Sequence, residues 1–339
     1  MIKKIYKLAA ASFVALMLLL SISVYFVYQD YLLFLATPVQ SEHWPVKVQV
    51  RKGTNFSHLA NELSDRSIIS SKKYFTWYAR SESLAQRVKA GRYVFQQGVT
   101  PIQLLEKIVA GDVEQFTLTI VEGWNFTQML AAIHQHPEIQ KRLDGLSDKE
   151  IMRALSLPDV HPEGQFMPDT YHFPEGMTDV QFLRRAWRAM QDYLNAQWPE
   201  RDEGLPLKSP YDALTLASIV EKETGLAEER PTIAGVFIRR LKKGMKLQTD
   251  PTVIYGMGEN FDGNIRRKDL KQDTPYNTYT RFGLPPTPIA LPGKEAIFAS
   301  LHPADGNSLY FVARGDGSHQ FSETLEEHNR AVRRYQLGK

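Results

Sequence analysis

Ser209 to Thr224 reads SPYDALTLASIVEKET, an apolar segment that ends in two acids. Ser209 can cap a helix, Pro210 suits its first position, and Asp212 completes an S-x-x-D capping pattern. Gly225, just beyond, is expected to stop the helix in a left-handed turn. At about 100° per residue, Leu216, Ile219 and Val220 share a face with Glu223, while Glu221 lies over Leu214, Ala217 and Ser218. The two carboxyls then point about 160° apart, too far to act as a pair on one bond. Thr215, Ser218 and Lys222 form a polar stripe expected to face away from the core. Glu223 has the bulkier apolar surroundings, and complete burial raises a carboxyl pKa by as much as ~3 to 5 units. The helix dipole pushes the same way by only about 0.3 to 1 kcal/mol. Glu223 is therefore the candidate for an acid that keeps its proton near neutral pH. Solvated or salt-bridged glutamates are also ordinary at helix ends, so the segment by itself leaves a purely structural role open.

The chain has 339 residues, enough for two or three domains. Its formal charge of +3 is small and its basic residues are scattered, which argues against nucleic acid as a partner. The absence of cysteine excludes disulfides, thiolate metal sites, a cysteine nucleophile and a lipid-modified N-terminal cysteine. Lys3, Lys4 and Lys7 precede Leu8 to Tyr28, a run without charge. Its length, about 21 residues, suits a bilayer core and exceeds the ~7 to 15 residues of a signal-peptide core. Tyr25, Tyr28 and Tyr31 would sit at the far interface. The expectation is an uncleaved single-pass anchor, its N-terminus cytoplasmic and everything after about residue 40 outside the cytoplasm. A cleaved signal is the alternative. Residues 1–30 would hold the cytoplasmic stub and anchor, and 31–45 a tether.

Past the tether, Val46, Val48 and Val50 alternate like a half-buried strand, and Phe56, Leu59, Ala60 and Leu63 follow helical spacing. A second helix is expected over Ser70 to Arg80, a strand over Gly91 to Phe95, and a capped helix from Thr100 to Gly111. Gly53-Thr54-Asn55-Phe56-Ser57 is echoed by Gly123-Trp124-Asn125-Phe126-Thr127, each after an alternating apolar strand. Ser147 to Glu150 opens a short helix, His161 to Met177 reads as an irregular loop containing EGQFMPDTY, and Asp179 to Trp198 as a long amphipathic helix. Residues 199–208 form a linker. Glu228 to Lys243 is a helix whose Arg239, Arg240, Lys242 and Lys243 suit its dipole. LQTDPTVIYG, Leu247 to Gly256, reads as a strand leading into a short helix capped by Asp250. Leu309 to Ala313 and His319 to Phe321 form a hairpin, followed by a terminal helix. The fold class is α+β, with a small module near the membrane and a larger, mainly helical domain with short strands.

No H-E-x-x-H, Walker loop or G-x-G-x-x-G occurs, and the nine histidines show no metal-ligand spacing, so no cofactor or metal is expected. Loops of Tyr, Asn, Thr, Gln and Asp suit carbohydrate, since aromatic faces stack on sugars while amides and carboxylates bond hydroxyls. The same residues are also ordinary in turns. Glu221-Lys222-Glu223-Thr224, LQTDPTVIYG, YNTY at Tyr276 to Tyr279, GLPP at Gly283 to Pro286, His302-Pro303 and the EG-x-F-x-PDT loop at Glu163 to Thr170 resemble the endolytic murein transglycosylases, the YceG-like group. The resemblance covers most of the chain, anchor included. It implies that Glu223, the second glutamate of the triplet, is the essential residue. It also implies that 46–112 is a LysM-like module, that 113–339 is the catalytic domain, and that nascent peptidoglycan glycan strands are cut internally beside cell-wall synthases, the penicillin-binding proteins. Gln248, Asp250, Tyr255, Asn277 and Tyr279 are then candidates for substrate contact, and Glu221 for support of Glu223. A lysozyme-type hydrolase using Asp250 or Glu228, and a non-enzymatic wall-binding scaffold, are the rival readings.

Overall fold

The computed structural model describes residues 2–338. The chain divides into two compact units, Met1–Phe116 with Phe173–Glu175, and Thr117–His172 with Gly176–Lys339.

In the first unit, α1 (Ile2–Ala36) is one continuous helix that runs on past the apolar stretch into residues expected to be a tether. Its last turns have partners that a free tether lacks. Phe34 is buried together with Val39 in the core of this unit, the Asp30 carboxylate accepts a hydrogen bond from the Tyr74 hydroxyl at 2.8 Å, and the Tyr31 ring meets Tyr74 edge-on. Strand β1 (Val46–Val50) buries Val46, Val48 and Val50 in alternation and pairs antiparallel with β2 (Gly91–Phe95). Helices α2 (Phe56–Asp65), α3 (Lys72–Ser81) and α4 (Pro101–Ala110) complete that core. Helix α4 begins with a capping box between Thr100 and Gln103 and ends at Gly111, whose φ of 77° is the left-handed stop its sequence implies.

Strand β3 (Gln115–Thr119) pairs with β4 (Thr170–Pro174). The second strand lies inside the segment 161–177 expected to be irregular. Its alternation is short but clear, with Tyr171 and Phe173 buried and Thr170 and His172 exposed. The proline-rich flanks hide that pattern in the sequence. The echoed turns share one chemistry: Gly53 and Gly123 both have positive φ, and Asn55 and Asn125 both cap the following helix through a 2.8 Å bond from the third residue on.

The second unit contains α5 (Phe126–Gln135), α6 (Asp148–Ala154), α7 (Asp179–Gln197), α8 (Pro210–Glu223), α9 (Arg230–Lys242), α10 (Asp250–Met257), α11 (Lys294–Leu301), a hairpin of β5 (Tyr310–Ala313) and β6 (His319–Ser322), and α12 (Leu325–Tyr335). Helices α9, α10 and α11 all pack on α8, so every residue from Ala213 to Val220 is buried. The polar stripe of α8 therefore does not face solvent, as its composition suggested. Thr215 Oγ1 donates back to the Tyr211 carbonyl at 2.8 Å, and Ser218 Oγ donates to the Thr215 carbonyl at 2.7 Å while accepting the Ile289 N–H at 2.9 Å. Of the stripe, Lys222 alone reaches water. These internal bonds let small hydroxyls occupy an interior surface without an unpaired polar atom. Nor does Gly225 turn left-handed. Thr224 ends the helix in an extended conformation, buried, with its hydroxyl accepting the Leu226 N–H at 3.0 Å.

Ser218→Ala should leave the buried Ile289 N–H without a partner and destabilise the protein by about 1–3 kcal/mol. A urea transition at wild-type midpoint would show that this bond does not hold the 287–291 segment to α8.

Candidate active site

Ahead of α10, residues Leu247–Thr249 are irregular backbone where a strand was expected. Gln248 adopts a left-handed backbone with φ 52°, a conformation costing on the order of 1 kcal/mol for a residue with a side chain. Hydrogen bonds hold it there: Gln248 N–H donates to the Thr278 carbonyl at 3.2 Å and Thr249 N–H to Thr278 Oγ1 at 3.1 Å. Thr252 Oγ1 closes the knot on the Thr249 carbonyl at 2.8 Å. Helix α10 starts at Asp250, so Thr249, and not Asp250, occupies the capping position. Its hydroxyl makes no cap; it donates instead to Glu223 Oε1 at the end of α8. Asp250, placed in the first turn, accepts a hydrogen bond from the Tyr279 hydroxyl at 2.6 Å.

Glu223, Gln248, Thr249, Asp250 and Tyr279 line one cleft of about 560 Å³, walled also by Arg240 and His319. Burial, reinforced by the negative charge of Asp250, pushes the Glu223 carboxyl up to about 7, while the Thr249 hydroxyl, His319 and Arg240 favour its charged form. Burial and Asp250 also drive the Tyr279 phenol well up, so it stays a donor. Arg240 is not a solvated complement to the helix dipole. It is buried, donating to the carbonyls of Leu309 at 2.6 Å, Lys246 at 3.1 Å and Leu247 at 2.9 Å, with Gln248 Oε1 at 3.3 Å. His319 is held by Glu229, which accepts its N–H at 2.8 Å and lies 2.6 Å from its Nδ1.

The other sequence candidates lie elsewhere. Glu221 Oε2 accepts the Gly293 N–H at 3.0 Å, and its other oxygen is 3.6 Å from Arg230, which also bonds Glu295 and comes within 3.7 Å of Glu122. Both glutamates of the triplet are withdrawn from water. Burial alone therefore does not separate them, as the helical projection implied; what differs is that Glu221 faces a guanidinium and Glu223 a neutral hydroxyl at a cleft. Asn277 is fully buried, its amide donating to the carbonyls of Asp269 at 3.1 Å, Leu270 at 3.2 Å and Gln272 at 2.7 Å. It shapes the loop that carries Tyr279, and no donor is left for a substrate. Tyr255 lines a second cleft, of about 780 Å³, with Glu163 and Tyr276. There the buried Glu163 accepts the Phe126 N–H at 3.0 Å and a bond from Tyr255, and burial pushes its carboxyl up to about 7.

The projection thus missed Thr249, Arg240, His319, Glu229 and Glu163. Thr249 carried a usable signal, a capping-type residue immediately before Asp-Pro. The Glu229–His319 contact joins residues 90 apart in the chain, which no local pattern encodes. Among the described residues no cluster of three or more His, Asp or Glu side chains could hold a metal ion.

Two outcomes follow from these carboxyls. Thr249→Val removes a donor to the charged form of Glu223 and should move its titration above about 7, read by infrared difference spectra of the carboxyl band against Glu223→Gln; an unmoved or lowered midpoint would refute the contact. Glu163 binds its proton more tightly folded, about 7, than its ordinary 4.5, so its contribution is fully present below about 4.5 and lost as pH rises through about 7. Glu163→Gln should therefore gain on wild type by on the order of 1–3 kcal/mol between pH 4 and pH 8, and a urea-derived difference that stays flat with pH would count against it.

The YceG-like family model matches residues 48–334. The endolytic murein transglycosylase of Bacillus subtilis (strain 168) is 34% identical over 308 residues, covering 86% of this chain and 84% of that protein. The endolytic murein transglycosylase of Streptococcus pneumoniae serotype 2 (strain D39 / NCTC 7466) is 28% identical over 356 residues, covering 95% of this chain and 64% of that protein. Among solved structures, a yceG-like protein of Listeria monocytogenes superposes with a TM-score of 0.53 at 31% identity, covering 84% of this chain and 98% of that one.

Proposed function

Because this chain belongs to the YceG-like family, we propose that it is a peptidoglycan lytic transglycosylase that cuts inside nascent glycan strands, with Glu223 as its acid and base. The observation that carries this reading is the Glu223 carboxyl, pushed up to about 7 at the wall of an open cleft and hydrogen-bonded to Thr249. Near neutral pH such a group exists in both protonation states, which is what a residue that first gives and then takes a proton requires.

Protonated Glu223 donates to the oxygen joining N-acetylmuramic acid to N-acetylglucosamine as that bond breaks. The resulting carboxylate removes the proton from the muramyl C6 hydroxyl, whose oxygen bonds C1 and closes a 1,6-anhydro ring. No water enters, and Glu223 ends protonated as it began, so the two-carboxylate arrangement of ordinary glycosidases is unnecessary. Asp250, oriented by Tyr279, places negative charge beside the developing positive charge at C1 and helps to hold Glu223 protonated. Gln248 forms part of the wall that positions the sugar. Glu221, with Arg230 and Gly293, fixes the end of α8 that presents Glu223.

Helix α1, 35 residues long with a charge-free apolar run, is compatible with a single-pass anchor. In this reading the N-terminus is cytoplasmic, the rest of the chain lies on the periplasmic side of the inner membrane, residues 46–112 form a LysM-like module, and the enzyme works beside cell-wall synthases to limit strand length.

Digestion of uncrosslinked glycan strands by the full chain should yield fragments one water lighter than reducing-end sugars. Glu223→Gln should lower the rate by about 10²- to 10⁴-fold while keeping the wild-type fold. Exclusively reducing-end products would replace the transglycosylase with a hydrolase, and a fully active Glu223→Gln would remove Glu223 from the chemistry.

A further inference from the structure

Within the first unit, α1 and α3 leave an open groove of about 540 Å³ lined by Ser23, Val24, Val27, Tyr28, Tyr31, Trp77 and Ser81. Trp77 is 43% exposed, a large area for an indole, and its ring lies 6.4 Å from that of Tyr31 with the Lys73 ammonium 4.5 Å from its centroid. Helix α3 also carries Lys72 and Arg80 and contains no acid, the nearest in sequence being its C-cap Glu82. The one carboxylate that α1 brings to this end, Asp30, is engaged by Tyr74.

The depth of the groove follows from helix geometry. The charge-free run Leu8 to Tyr28 spans about 31 Å as α-helix, close to the ~30 Å of a hydrocarbon core. If α1 crosses a bilayer over that run, Val24 lies about 6 Å inside the boundary and Tyr31 about 4.5 Å outside it. The groove thus straddles the boundary, with Val24 and Val27 on the acyl side and Tyr31 and Trp77, the latter under Lys73, on the headgroup side. Aromatic rings with a polar edge favour that level, and lysine or arginine there meets lipid phosphate. A partner helix would be served better by a continuous row of small residues that allows close backbone approach; here only Ser23 and Ser81 are small, and they lie among Val24, Val27, Tyr28, Tyr31 and Trp77.

We infer that the first unit seats on the outer leaflet of the bilayer that α1 spans, with Trp77 at the headgroup level, a phospholipid acyl chain in the α1–α3 groove and lipid phosphate against Lys72, Lys73 and Arg80. This rests on the membrane-anchor reading above and adds a site of contact to it.

The test uses the full chain in vesicles of phosphatidylcholine and phosphatidylglycerol brominated either near the headgroup or near the acyl end. Subtracting the emission of Trp77→Phe isolates Trp77 from the other four tryptophans, the chain having five. Shallow bromine should quench the Trp77 component and deep bromine should not, and Lys72→Glu with Lys73→Glu should reduce that quenching. A chain that floats with the vesicles while its Trp77 component is quenched at neither depth overturns the seating and leaves the anchor standing. A chain that fails to float overturns both. A photocrosslinker at position 77 that captures protein in place of lipid assigns the groove to a neighbouring helix and refutes the lipid site.

Discussion

The Thr249 hydroxyl meets the Glu223 carboxyl where the surrounding protein has removed most of the water, and the rest of the second unit is arranged around keeping that meeting in place. Two opposing influences act on the same oxygen atoms. Burial and the charge of Asp250 favour the neutral acid, while the threonine hydroxyl and the flanking Arg240 and His319 favour the anion. Their balance leaves the group near neutrality, and it depends on positions set by distant parts of the chain. Glu223 is fixed by α8, Thr249 by its bond to Thr278 beside the left-handed Gln248, and His319 by the hairpin and Glu229.

A helix buried on all sides must satisfy its polar side chains internally, and α8 does so with hydroxyls that bond back to its own carbonyls. Ser218 has a second duty, since it also accepts from the segment around Ile289. The polar end of the helix is handled differently. Arg230 gathers Glu122, Glu221 and Glu295, and the approach is so close that a Cβ on Gly293 would fall 1.9 Å from Glu122. Glycine at 293 is therefore a steric requirement of that cluster.

Much of the architecture was legible because it is written in local chemistry. The valine alternation of β1, the capping boxes at Thr100 and Ser147 and the length of α7 are read directly from neighbouring residues. The site was legible only in part. The apolar character near Glu223 is visible in the sequence, but the helical projection assumed a solvent-facing stripe, and α8 has none along its buried length because three helices surround it. Asn277 and Tyr255 looked like sugar-binding residues by type; one is consumed by its own loop and the other belongs to a separate cleft. The partners of Glu223 are side chains brought together from different elements, and no periodicity reports such pairs.

Because α8 exposes no face from Ala213 to Val220, water reaches those peptide groups only when α9, α10 and α11 come away together. Its amide protons are thus coupled to the most cooperative opening of the unit, and local fraying contributes little to their exchange. The Glu223 carboxyl therefore sits at the end of a segment whose amides should be among the slowest to exchange. Thermal motion in the surface loops can then alter access to the cleft without opening the buried part of the helix that Glu223 terminates.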